Sequence, residues 1–273
     1  MDVSIGVLSA VLATAAFSIN APLANAATKL GVSPTSLVAV RNLVALLTLL
    51  PLADFKISAL GLLVVVASAL LGPGLGDAAY FNAISKSGVA AAVTIGYTYI
   101  FTAQFFSALL GVEPLTSRVI VGAALAFSGV AVALGGVPRG SGAFYGLVAS
   151  LAWGLASALL GVATKGASVY TIAVLRSAVL APLFFALSGF KRPPLRGLIY
   201  AVSSGVVGLA LGSAAFIYAI SAIGVSKTVI ATSLTPILSQ IFDKALNKTP
   251  IRQRYILGAT LVSVGIVISV MNN

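Results

Sequence analysis

Three ionisable side chains, Arg41, Asp77 and Arg176, stand deep inside long apolar runs. The other acids, Asp2, Asp54, Glu113 and Asp243, fall at the ends of such runs or between them. A charge held within hydrocarbon costs roughly 2.5–3.5 kcal/mol on insertion scales, so it needs a partner, water or a task. A carboxylate at the depth of a guanidinium can pair with it or carry a proton. A guanidinium with no carboxylate near offers a planar fork of donors that fits an anionic group. Snorkelling and a purely structural ion pair are the other readings of all three. The chain has no His and no Cys. Zinc sites, Cys nucleophiles, His general bases and disulfides are therefore excluded, and no metal site or cofactor motif is found.

Backbone interruptions lie close to these charges. Gly72-Pro73-Gly74-Leu75-Gly76 runs directly into Asp77, and Pro236 follows Thr235. Proline cannot donate a helical hydrogen bond, and a freed carbonyl in lipid is tolerated only where protein or a watery cavity covers it. An ordinary kink is the alternative. Polar and aromatic residues gather at similar depths, among them Asn20, Tyr80, Tyr97, Tyr99, Trp153, Thr235 and Gln240. The expected substrate-binding set is Arg176, Arg41, Asn20, Tyr80, Tyr99, Trp153, Thr235 and Gln240. Asp77 is the expected proton-coupling carboxylate, and Pro73 and Pro236 are the expected helix breaks. Interfacial belts of aromatic residues explain several of these positions equally well.

The elements that must position them are membrane helices. Of 273 residues, 59% are hydrophobic and 8% charged, against about 25% charged in a soluble domain. Too little polar surface remains to face water. About 20 apolar residues cross the hydrocarbon core as a helix, and charged or Gly/Pro clusters cut the chain into ten such pieces. They lie near 3–27, 33–53, 57–84, 88–110, 115–136, 141–163, 168–189, 196–220, 225–246 and 252–271. The runs are too long and too uniformly apolar for barrel strands. Ala24-Asn25-Ala26 is like a signal-peptidase site, but only Asp2 precedes the apolar run, so an uncleaved first helix is expected.

The chain also repeats itself. Residues 75–129 align without a gap on 211–265, with 20 identities in 55 positions at an offset of 136. Lys29 aligns with Lys165 and Arg41 with Arg176 after small gaps. Five spans precede the halfway point near Pro138, and an odd number turns the second repeat upside down relative to the first. The expected fold is all-α, with ten transmembrane helices in two inverted five-helix repeats, 1–137 and 138–273. Inverted repeats place substrate near the midplane between the halves. Arg41 lies eight residues into the second helix and Arg176 eight into the seventh, each roughly 12 Å deep. Asp77 shares the depth of Arg41 and can pair with it. Ser213 replaces Asp77 in the second repeat, leaving Arg176 without an obvious partner.

The sequence resembles the drug/metabolite transporter superfamily, specifically its EamA-type members. Leu109-Leu110-Gly111-Val112-Glu113-Pro114-Leu115-Thr116, followed by Gly122 and Gly129, is similar to the family's junction between its fourth and fifth helices. A valine here separates the glycine from Glu113. Pro236 matches the family's helix-interrupting proline of the second repeat, Ile100 stands at the first-repeat counterpart, and Thr249 stands opposite Glu113. The resemblance covers the whole chain. It implies a multi-pass cell-membrane transporter without enzyme activity that moves small metabolites, often amino acids, without ATP and by alternating access.

Other classes have features against them. Gly74-Leu75-Gly76-Asp77 fits the G-x-G-D pattern of intramembrane aspartyl proteases, but that chemistry needs two aspartates sharing a proton, and no second deep aspartate is evident. A rhomboid-type protease needs a histidine. A channel, or a lipid or lipid-linked-sugar translocase on the same fold, stays open as an alternative. The expected partners are a small-molecule substrate and membrane lipids, with no nucleic acid, in a monomer or homodimer. Lys56, Arg118, Lys165 and Lys227 fall on the face that carries both termini. Ten Lys and Arg, including Lys29, Lys86, Lys191, Arg192 and Lys244, fall on the other. The positive-inside rule makes the richer face cytoplasmic, whereas the resemblance implies cytoplasmic termini.

Overall fold

The computed structural model describes residues 3–134 and 139–270, which are helical with short connections. Ten apolar helices follow one another: α1 (Val3–Lys29), α2 (Pro34–Leu52), α3 (59–87), α4 (89–109) and α5 (Ser117–Leu134) form the first half. The second comprises α6 (Gly140–Ala163), α7 (Val169–Leu187), α8 (Leu195–Ile223), α9 (225–247) and α10 (Gln253–Val270). Among the described residues, six helical stretches are long and apolar enough to cross a membrane uninterrupted. One of them, Ala59–Gly96, contains α3 and the start of α4, divided at Gly88. The expected boundary between the halves at 137/138 lies outside the described residues, as does Asp2.

The repetition seen in the sequence recurs in the backbone. Gly88 (φ 79°, ψ 168°) ends α3, and its repeat partner Gly224 (φ 86°, ψ 170°) ends α8. Only glycine adopts this region at low cost, so the chain turns at both positions without a longer loop. Phe55 and Phe190, at the connections after α2 and α7, both take φ 54°. Ser33 caps α2 by accepting from Ser36 N, and Ser168 caps α7 by accepting from Thr171 N. Such caps satisfy donors that the first helical turn leaves open.

Two wide turns lie at equivalent positions. Leu70–Gly76 in α3 and Gly205–Ser213 in α8 are π-helical, a form found mostly as short segments at functional sites. Pro73 lies inside the first, but Leu209 stands at its place in the second. Proline is therefore not required for the widening. In α9 the interruption is the 3₁₀ turn Thr232–Leu234, and Pro236 sits just after it in the first turn of the next helical segment, where no donor is needed. In α4 the equivalent turn, at Tyr97–Thr98, forms without a proline.

Packing crosses between the halves. α1 lies against α8 and α9, and α6 lies correspondingly against α3 and α4; α2 pairs with α7 and α5 with α10. Within a membrane, close packing rather than water exclusion holds helices together, and small residues allow it. At the α5–α10 crossing, a methyl group on Gly129 or Gly258 would lie 2.6 or 2.5 Å from the other's carbonyl oxygen.

On the face that bears the termini, two carboxylates tie the halves. Glu113, between α4 and α5, accepts from Val225 N (2.7 Å), Ser226 N (3.0 Å) and the Ser226 hydroxyl. It thereby caps α9, where a negative charge complements the helix dipole. Asp54, between α2 and α3, accepts from Thr171 Oγ1 (2.6 Å) and Ser168 Oγ (3.0 Å) at the start of α7. These hydrogen bonds, led by that from Thr171, hold its carboxyl below the usual aspartate range.

Candidate functional site

Between the halves lies a cavity of about 100 Å³, and most of its lining comes in repeat-related pairs. Arg41 and Arg176 reach it from α2 and α7, and Phe17 and Asn20 of α1 match Trp153 and Ala156 of α6. From the wide turns come Gly72 and Gly208, Pro73 and Leu209, Asp77 and Ser213, and, one turn further, Tyr80 and Phe216. The contacts repeat as well. A methyl on Gly72 would lie 2.5 Å from Arg176 Nη2 and 3.1 Å from Ala156 Cβ. A methyl on Gly208 would lie 2.9 Å from Arg41 Nη2 and 2.5 Å from Asn20 Oδ1. Each guanidinium therefore lies against a bare glycine of the opposite half, and the cavity sits between the two repeats.

Chemistry breaks this symmetry. Asp77 Oδ2 pairs with Arg41 Nη1 at 2.5 Å, and Asp77 Oδ1 accepts from Trp153 Nε1 at 2.9 Å. Arg41 is 2% exposed and also lies 4.7 Å from the ring centre of Phe81. The pair that shared depth allows is thus formed. Ser213 offers Arg176 no such charge, and Arg176, 6% exposed, donates from Nη2 to the Ser68 carbonyl at 3.3 Å. That carbonyl precedes Pro73 by five residues, the π-helical spacing, and Pro73 has no N–H to give it. Arg176 therefore supports the wide turn while also lining the cavity. Two guanidiniums against one carboxylate leave the site one net positive charge.

An aromatic wall completes it. Trp153 lies at the centre of three tyrosines, its ring centroid 4.7 Å from Tyr80, 5.9 Å from Tyr99 and 6.2 Å from Tyr97. Tyr99 is fixed by a 3.1 Å hydrogen bond to Thr232, and Asn20 accepts from Ser204 Oγ at 2.6 Å. Tilted and edge-on rings of this kind present both π faces and polar edges to a ligand.

Of the residues expected from sequence, Arg41, Asn20, Pro73, Asp77, Tyr80, Tyr99, Trp153 and Arg176 line this cavity. Thr235 and Gln240 do not. Thr235 is fully buried, and Gln240 donates to the carbonyls of Pro236 (2.9 Å) and Tyr255 (3.4 Å), tying α9 to α10. Phe17, Phe216 and Gly208 were missed, although the repeat offset from Trp153, Tyr80 and Gly72 points to each of them.

Asp243 lies near the end of α9, where the sequence places it, but is only 2% exposed. α1 covers it, so Asp77 is not the only buried carboxylate. The two acids hold different partners, Arg41 and Trp153 for Asp77 and Asn25 and Asn247 for Asp243, so they do not form the proton-sharing dyad of an aspartyl protease.

Comparison with known proteins agrees with this architecture. The profile of the EamA-like transporter family matches twice, over residues 4–135 and 140–271. A curated relative from Archaeoglobus fulgidus, named uncharacterized transporter, is 30% identical over 238 residues, covering 84% of each chain. A solved crystal structure superposes with a TM-score of 0.74 at 17% identity, covering 97% of this chain and 96% of that one, a likeness of fold.

Proposed function

The chain belongs to the EamA-like transporter family, and from that premise we propose that it is a secondary active transporter of small anionic metabolites. It is a multi-pass protein of the cell membrane. The observation that carries the proposal is the cavity between the two repeats, with one guanidinium neutralised and one not. Substrate bound there meets nearly equivalent walls whichever half rocks away, which is what alternating access requires. The halves that rock are the repeats 1–137 and 138–273.

Arg176 binds the anionic group, a carboxylate of an amino acid or a related metabolite, because its guanidinium lacks the counter-charge that Arg41 has. The Trp153 cluster packs the rest of the substrate, and Tyr80 and Asn20 add polar contacts. Asp77 carries the coupling proton. Protonation would release Arg41 within the cavity, adding a second positive charge to the site.

Flux of labelled metabolites into proteoliposomes tests this. Saturable, counterflow-competent uptake is expected, with Arg176→Gln raising KM for anionic substrates at least about tenfold, the equivalent of 1.4 kcal/mol, and for neutral ones far less. Equal loss for both, together with a lower melting temperature, would confine Arg176 to holding Ser68. Full proton-driven transport by Asp77→Asn would remove Asp77 as the carrier.

A further inference from the structure

We propose that a single water, held in a small chamber between α2 and α7, fixes the guanidinium of Arg176, and that Asn42 is the positioning residue that holds this water. The chamber adjoins the central cavity, with which it shares Pro73, Arg176, Leu209 and Ser213. It measures about 10 Å³, and one buried water takes roughly 10–15 Å³. Asn42 enters its wall from α2, Arg176 and Ser177 from α7, and Ser213 from α8. Two of these residues carry a buried polar atom with no partner among the described residues, Arg176 Nε and Asn42 Oδ1. They are a donor and an acceptor that do not meet each other. Asn42 Nδ2 donates to the Val38 carbonyl at 2.9 Å, which fixes the amide and leaves Oδ1 as its open atom.

A buried polar group without a hydrogen bond is costly, so both atoms call for a ligand. An anion would satisfy Nε and repel Oδ1, and a cation would do the reverse. Water accepts from the one and donates to the other. The Ser177 and Ser213 hydroxyls on the same wall bring it to the about three hydrogen bonds that a buried water makes.

This water gives Arg176 a second point of attachment. Nη2 already donates to the Ser68 carbonyl at 3.3 Å. One hydrogen bond lets the planar group swing about it, and a second at Nε fixes the plane. The Nε–Nη2 edge of the guanidinium is then occupied by protein and water. Nη1 and the second N–H of Nη2 remain, and they form the end-on edge that a carboxylate takes in pairs. Arg41 is held differently. Its Nε also has no partner among the described residues, but Asp77 holds Nη1 at 2.5 Å and the Phe81 ring lies against it at 4.7 Å. The residue after each arginine is Asn42 in the first repeat and Ser177 in the second. The amide that serves Arg176 therefore comes from the opposite half. The use of the end-on edge rests on the transport reading, and the water does not.

The test reads Arg176 directly in the purified full chain. With isotope-labelled arginine, the Arg176 Nε–H resonance is identified by its loss in Arg176→Lys. It is expected to show a nuclear Overhauser cross-peak to water. The two Nη groups are expected to give separate signals, because a fixed plane does not exchange them. Asn42→Leu, which keeps nearly the shape of the side chain without its polar atoms, is expected to abolish the cross-peak and merge the Nη signals. Asn42→Ser keeps an acceptor and leaves room for a further water to bridge the gap, and is expected to retain both features. Ser177→Leu fills the chamber from the α7 side and is expected to repeat the loss, which covers the case in which Asn42→Leu does not fold. A missing cross-peak in the unsubstituted chain overturns the proposal, as does one that survives Asn42→Leu or Ser177→Leu. Added acetate is expected to shift the Nη signals and to leave the cross-peak in place. Loss of the cross-peak on adding acetate also overturns the proposal. Nη signals that ignore acetate would count against a carboxylate at Arg176, while the cross-peak to water would still uphold the water site.

Discussion

Asp77 holds two unlike donors, a guanidinium from its own half and an indole N–H from the other. Their loss should differ. Removing one member of a buried ion pair costs about 3–5 kcal/mol because the remaining charge stays uncompensated. Asp77→Asn keeps an acceptor for Trp153 but strands Arg41. It is expected to lower the melting temperature of the purified protein more than the double change Arg41→Gln, Asp77→Asn does. Thermal unfolding in detergent, followed through Trp153 fluorescence, measures both. Equal melting of the single and double variants would show that the pair does not stabilise the fold. Arg176 has no such partner acid, and the same logic explains why it lies on a carbonyl and at the cavity together.

The connections between helices carry two further predictions. Gly88 and Gly224 share a backbone conformation that costs other residues about 1–3 kcal/mol. A methyl on Gly88 would meet nothing within 4 Å, whereas one on Gly224 would lie 2.8 Å from Glu113 Oε1. Gly224→Ala should therefore lower the melting temperature more than Gly88→Ala, and the excess should vanish when Glu113 is also shortened to Ala. Asp54 gives a pH dependence. Its folded pKa lies below the ordinary 3.8, so the hydrogen bonds to α7 contribute stability that is fully present above that value. This contribution is lost as pH falls through the lower, folded pKa. The melting difference between the native chain and Asp54→Ala is expected to be constant near neutrality and to shrink below pH 3.8. A difference that grows on acidification would contradict the assigned direction.

For the molecule as a whole, inversion places both termini on the face with four Lys and Arg, leaving ten on the other. Positive charge in short loops is retained on the cytoplasmic side, so a reporter fused after Asn273 and active only outside the cytoplasm is expected to be active. A reporter active only inside would mean that this chain follows the family's usual orientation against its own charges. The hydrogen bonds between the halves are asymmetric too, since Glu113 and Asp54 make them at the face with the termini and Asp243 makes one to Asn25 at the other.

Hydropathy, span parity and the repeat offset determined the membrane class, the ten helices and the inversion from the sequence alone. None of these depends on which residues touch. Depth along a helix was legible for the same reason, since the rise per residue is constant, and it brought Arg41 and Asp77 together. Rotation about the helix axis was not legible. When every face is apolar, the chain carries no mark of which side meets a cavity and which meets a neighbour. Thr235 and Gln240 therefore shared the depth of the site without reaching it, while Phe17 and Gly208 reached it without a polar group to announce them. Only the tertiary structure decided those facings, and only it showed that α1 covers Asp243, because burial near a helix end depends on the neighbour across the seam.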